Sequence, residues 1–578
     1  MDFSSRFATR QLTVLAQDPS VRRDGKVLTV QVPVPKETLA PGPKGYRVHV
    51  VDFDATRNRY YTPRREGDGG DRYADLTDPD EIVRDRHFHA QNVYALVGTT
   101  LLQFEAALGR HVSWGFPSGA HHIKVAPHAF ADANAYYSRR DEGIVFGYTA
   151  GVANGRGGEA DDVVFTCLSS DIVVHETTHA ILDGLRSELM RASTPDQPAF
   201  HEGFADIVAL LSTLARADVI RLVLPARTLR GRKLIETGAL RPRSLARSVL
   251  LGLAEQFGTA LAQRRLANLR GGALRRSVEL EATGTNYADL VERDSEPHLL
   301  GEVLVAAVMN AFLAIWWARA AKLDPTGSGF VDWDTATQQG AKAAQHLLHM
   351  VIRAIDYVPP TNIVFPDFLS ALLTVDHELV PGDELYGYRG HIRATFARYG
   401  ILPASGKDGE GFWDAPQLAR GQELIYGFSG HAEMQWDREA VMRFIWENRR
   451  ALKVDADAFT SVNAVRPVVR IGPDGFLLRE TVVEYFQLFD VKGVDLAGLR
   501  LRKPPDMPAS RPVRLLGGGT LIFDDYGSLK FHIGTGVLSR RQNDRVASLW
   551  SRGDQMASRR FEYLHRRRMI GGQARRES

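Results

Sequence analysis

The chain of 578 residues has almost no cysteine, since Cys167 stands alone. One thiol excludes an intrachain disulfide, a four-cysteine structural zinc site and an iron–sulfur cluster. Metal chemistry, if present, must draw on the 18 histidines and the carboxylates. A charge excess is lacking as well: 72 Lys and Arg stand against 69 Asp and Glu, a net of +3. That balance is too even for a protein whose main task is coating nucleic acid or anionic lipid, so neither nucleic acid nor membrane is expected as a partner. The longest apolar stretch, Val303 to Ala318, is interrupted by Asn310 and falls short of the ~20 residues that cross a bilayer, so it reads as a buried core helix. The opening MDFSSRFATRQLTVLAQDPSVRRDGK carries charge throughout and has no apolar core of a secretory signal, which makes the cytoplasm the expected location.

What is present has globular proportions, 44% hydrophobic and 24% charged, and enough length for several cores. VLTVQVPVP and YRVHVVDFD read as strands around an APGPKG turn, and Asp85 to Arg110 has helical spacing closed by Gly109. HHIKVAPHAFADANAYYS and EGIVFGYTAG are strand candidates, and from Asp171 to about Gly400 the pattern is helical. ILPASGKDGEG, 401–411, has the small, polar composition of a linker. Beyond it come a helix, REAVMRFIWENRRAL, and two hairpins with GPDG and DDYG turns. The expected fold is α+β in three parts: residues 1–185, a β-containing lobe ending in the HETTH helix; 186–402, a helical lobe; and 412–578, an appended α+β module. Its tail, from Arg540 to Arg576, is arginine-rich and reads as a solvated helix, with docking of an acidic partner as the alternative.

The chemistry concentrates in SSDIVVHETTHAILDGLRSELM. His175 and His179 are four residues apart, so on a helix both imidazoles share one face and can reach one metal ion, with Glu176 beside a metal-bound water. The pentapeptide alone also fits an ordinary amphipathic helix. Catalytic zinc takes three protein ligands and leaves one position open. AFHEGFADIVALL supplies Glu202 as the third, at what reads as the start of a second helix. Asp206, one turn later, can accept the outer ring N–H of a ligand histidine, and Asp183 is another such candidate.

With these residues the chain resembles the thermolysin-like zinc metallopeptidases of the gluzincin group, over roughly residues 45–400. HETTH at 175–179 followed by EGFAD at 202–206 matches the family's HExxH and ExxxD elements, and Asp171 stands where the family has an aspartate before the active-site helix. The resemblance implies a two-lobed zincin fold with one zinc ion on His175, His179 and Glu202. It makes Glu176 the general base, Asn134 and Ala135 of ANAYYS the edge that holds an extended peptide, and His298 of EPHLLGEVLVAAVMNAF the residue that bonds the tetrahedral intermediate. Three departures stand out. No tyrosine lies between His179 and Glu202, with Met190 near the corresponding place; the acidic calcium cluster after the third ligand is missing, so calcium is not expected; and His201 replaces an asparagine in the shell around the metal. Asp294 or Glu296 would orient His298.

The expected function is zinc-dependent hydrolysis of peptide bonds, of restricted specificity because nothing resembling a propeptide is present, with a peptide or protein as substrate. The alternative is a catalytically inactive zinc-binding protein of zincin fold that acts as a scaffold. Three smaller signals read as structural. His121, His122 and His128 are expected to be exposed strand and turn histidines; GGGT at 517–520 lacks the helix that a phosphate cradle needs; and DHELVPGDELYG is a solvated loop.

Overall fold

A computed structural model describes residues 8–19, 21–64, 70–75, 79–132, 134–150, 163–191, 193–229, 231–251, 280–292, 297–383, 385–405, 409–416, 423–427, 431–471 and 477–552. It is of mixed α+β class. β1 (Thr9–Leu15) and β2 (Thr29–Pro35) form an antiparallel ribbon, followed by the short β3 (Val48–Val50). α1 (Arg86–Leu108) starts where Asp85 accepts from the His87 N–H at 2.9 Å and stops at Gly109, whose φ of 70° is the left-handed helix end that glycine adopts without strain.

The expected single strand from His121 to Ser138 is two strands, β4 (Ile123–Phe130) and β5 (Ala135–Ser138). The chain reverses between them because the Asn134 N–H turns back to Asp132 O, while Asn134 O takes the N–H of Gly147. β6 (Gly143–Ala150) and β7 (Val163–Phe165) complete a sheet ordered β7-β6-β4-β3, with β5 on β6. β3, β4 and β6 run parallel; β5 and β7 pair antiparallel with β6.

α2 (Ser170–Leu185) and α3 (Asp196–Leu214) open the helix-rich part. It is not purely helical: β8 (Arg227–Leu229) pairs with β9 (Arg232–Glu236), which pairs in turn with a later strand, β10 (Phe330–Asp332). Between them runs α4 (Pro297–Ala321), the one helix among the described residues long and apolar enough to cross a membrane, and 78% of its most apolar window is buried inside the protein. α5 (Trp333–Ala354), α6 (Phe365–Leu379) and α7 (Tyr388–Arg398) follow. The DHELVPGDELYG segment is a solvated loop only in part: Val380, Pro381 and Gly382 are exposed, but Asp376 is buried in α6 against Arg389, and Asp383 caps α7 through the Tyr388 and Arg389 N–H groups. Glu384 lies outside the described residues.

After α8 (Arg438–Glu447), β11 (Phe459–Ile471), β12 (Leu477–Lys492), β13 (Pro512–Phe523) and β14 (Leu529–Thr535) form one antiparallel meander, closed by α9 (Arg541–Arg552). The DDYG turn is there, with the Asp524 N–H on Ser528 O; the GPDG turn lies outside the described residues. This sheet has small cores of its own, yet Val468, Val482, Ile522, Phe531 and Ile533 belong to the main core of the preceding 400 residues. Buried charges cross the same boundary. Arg186, just past α2, pairs with Glu484 at 3.1 Å, and Asp356 takes both Arg110, at 2.6 Å, and Arg470, which also holds Glu480. Burial opposes the ionisation of Asp356, Glu480 and Glu484, but the arginines outweigh it and hold all three carboxyls below their usual range. The start of the basic tail is not solvated either: Arg541 grips Asp367, and the buried Arg545 donates to Arg514 O. Arg566, Arg567 and Arg568 lie outside the described residues.

Candidate metal centre

The start of α2 is pinned from outside, by the Ser170 N–H on Gln17 O and the Ser170 hydroxyl on Leu15 O. Inside the helix Thr177 and Thr178 could not be buried with free hydroxyls, and each donates to the carbonyl four residues back, at 2.6 and 2.8 Å. His175 and His179, on either side of them, are each 1% exposed, their rings perpendicular and their Nε2 atoms 2.8 Å apart.

Glu202 does not open α3 as expected. The helix begins six residues earlier at Asp196, because Pro198 falls in the first turn, where a missing N–H costs nothing. Glu202 is therefore fixed in the helix interior, with Oε2 3.6 Å from His175 Nε2 and Oε1 3.7 Å from His179 Nε2. The donor atoms of the three residues all lie within 4.8 Å of one another.

The outer ring nitrogens show what the inner ones offer. His175 Nδ1 donates to Asp206 at 2.7 Å, as the spacing suggested, and this leaves its Nε2 a lone pair. His179 Nδ1 is joined to His201 Nδ1 at 2.7 Å. Two buried imidazole nitrogens and a carboxylate converge on one point, which is the donor set that a divalent zinc ion accepts. Asp183 corrects its expectation: it accepts from Tyr137 Oη at 2.7 Å and Arg139 at 2.6 Å, so it anchors β5 to α2.

Glu176 is 1% exposed and accepts the Tyr137 N–H at 3.0 Å, which ties the carboxylate to β5. β5 pairs, among the described residues, only with β6, so it is an edge strand; Ala135 opens it opposite Phe146. Asn134 lies just before the edge, buried, its carbonyl taken by the Gly147 N–H and the Thr166 hydroxyl. From α4, His298 brings Nε2 to 3.3 Å from Glu202 Oε2. Asp294 and Glu296 lie outside the described residues, and Met190 is buried.

Four contributors escaped the sequence reading. Tyr137 carried no signal beyond strand alternation, and Arg139 none beyond a charged turn. Gly203 and Gly301, glycines inside long helices, did carry one: helix-interior glycine costs ~1 kcal/mol and marks a close approach. His128 was also misjudged. It is 1% exposed, with Nδ1 2.8 Å from Asp52 and Nε2 2.8 Å from His89 Nδ1, because β4 turns it into the sheet–helix interface. Burial and the neighbouring His128 push His89 down to about 3, and burial pushes the Cys167 thiol well up.

Comparison of the chain with protein-family models and with curated proteins found no match.

Proposed function

We propose that the protein is a zinc-dependent metallopeptidase of restricted specificity, built on a two-lobed thermolysin-like plan with the meander sheet as an addition. The convergence of His175, His179 and Glu202 carries this reading, together with the outer bonds of His175 to Asp206 and His179 to His201. Those three residues would hold the ion, which when bound supplies a Lewis acid for the scissile carbonyl and lowers the pKa of a water to ~7. Glu176 takes the proton of the attacking water and passes it to the leaving amine. His298 donates to the carbonyl oxygen as charge develops there. β5 offers backbone groups for an extended peptide, and its Tyr137 N–H orients Glu176, so peptide binding and proton transfer share one strand.

Zinc content and turnover of a peptide library test the reading. Glu176→Gln is expected to keep its zinc and lose turnover by ~10²–10⁴-fold, whereas Glu202→Ala loses an equivalent of metal. Full activity in Glu176→Gln would overturn the mechanism. A wild-type protein that binds zinc here and cleaves no peptide would favour the scaffold reading, and rapid unselective digestion of casein would remove the restriction on specificity.

A further inference from the structure

A second cluster of metal-ligating side chains is separate from the HETTH group. His89 on α1, His128 on β4 and Cys167 in the turn before α2 are 0%, 1% and 0% exposed, and their donor atoms lie within 4.8 Å of one another. The proton count is the informative part. Asp52 accepts from His128 Nδ1–H, and Val83 O accepts from His89 Nε2–H, both at 2.8 Å. Each outer nitrogen thus carries the hydrogen, and the inner nitrogens, His89 Nδ1 and His128 Nε2, meet at 2.8 Å with a lone pair each. Two lone pairs cannot face each other at that distance unless a cation sits with them, a proton or a metal. His175 and His179 show the same arrangement, with outer nitrogens bonded and inner ones 2.8 Å apart.

We propose that His89, His128 and Cys167 form a second, structural metal site for a borderline-soft divalent cation, zinc foremost. Two imidazoles and a thiolate are the ligand types such ions select, and a carboxylate or a backbone carbonyl on the outer ring nitrogen is the usual support for a ligand histidine. The Cys167 thiol gives up its proton on binding a divalent ion, so the thiolate offsets part of the charge brought into this buried site. The ion would tie α1, β4 and the start of α2 together, eight residues before His175 and three residues along α1 from Asn92, whose side chain already holds Cys167 O at 2.9 Å. This reading does not depend on peptidase activity.

The single cysteine makes the test specific, because the HETTH site has no sulfur to offer. The full chain is produced in zinc-depleted, cobalt-supplemented medium, so that Co²⁺ enters during folding, and its absorption and metal content are measured. The expected result is two Co²⁺ per chain with a thiolate-to-cobalt charge-transfer band in the near ultraviolet. Cys167→Ser should lose the band and one equivalent of metal while keeping the other, and His179→Ala should keep the band. A wild-type protein with no such band overturns the proposal and leaves a proton between the two rings.

Discussion

Gly203 and Gly301 meet where α3 crosses α4: a Cβ added to Gly203 would lie 3.0 Å from Gly301 O, and one added to Gly301 would lie 2.9 Å from Ala199 O. The two backbones touch at this crossing, with Glu202 beside Gly203 and His298 one turn before Gly301. The 3.3 Å approach of those side chains depends on the absence of two methyl groups.

Gly301→Ala is therefore expected to cost ~1–3 kcal/mol of stability and to lower kcat by ~10-fold as His298 and Glu202 are pushed apart. Thermal unfolding and peptide turnover measured on one preparation check this. A lower Tm with unchanged kcat would mean that the crossing serves the core alone.

Asp206 bonds His175 Nδ1 and is not among the three residues proposed to hold the ion, so Asp206→Asn should weaken zinc binding by ~10–100-fold without abolishing it. Competition against a chelator of known affinity reads the difference. An unchanged zinc affinity would show that the 2.7 Å bond to His175 does not tune the ligand.

Asp356 sets an acid limit. It is buried with Arg110 and Arg470, and their charges, outweighing burial, hold it far below the ~3.9 of an unfolded aspartate. A depressed carboxyl contributes stability above the unfolded value and loses it as the pH falls from there towards the folded value. Asp356→Asn strands two buried guanidinium groups, and should cost ~3–5 kcal/mol at neutral pH, with the gap to wild type narrowing below about pH 4. Urea unfolding at pH 7, 5 and 3.5 checks the trend, and a gap that widens in acid would contradict it.

Truncation at the polar 401–411 segment should not give a folded catalytic unit. Without the sheet, Arg186 loses Glu484 and Thr520, Asp356 loses Arg470, and the main core loses Val482, Ile522 and Phe531. Residues 1–405 alone are expected to aggregate, as size-exclusion chromatography would show. A soluble monomer with native zinc content would restore the picture of an independent appendage.

The local chemistry of the chain was legible in its sequence wherever neighbours along the chain decide. A four-residue spacing places His175 and His179 on one helix face, Asp85 and Gly109 mark the two ends of α1, and the DDYG turn closes its hairpin. These are settled by backbone geometry within a turn or two. The partners of buried polar groups were not legible, because such a group bonds whatever the packing of distant segments brings to it. His179 found His201, far along the chain, although Asp183 stands only one helical turn away and was drawn instead to Tyr137 and Arg139. His128 found His89 and Asp52 across the interface of sheet and helix, and the Gly-rich break that reads as a linker joins a sheet whose Glu484 and Arg470 are paired with Arg186 and Asp356 of the lobe before it. The motif determined which side chains could hold an ion together; only the tertiary structure decided what stands behind each of them, since unpaired buried charge costs several kcal/mol and every such group must be answered by one from far along the chain.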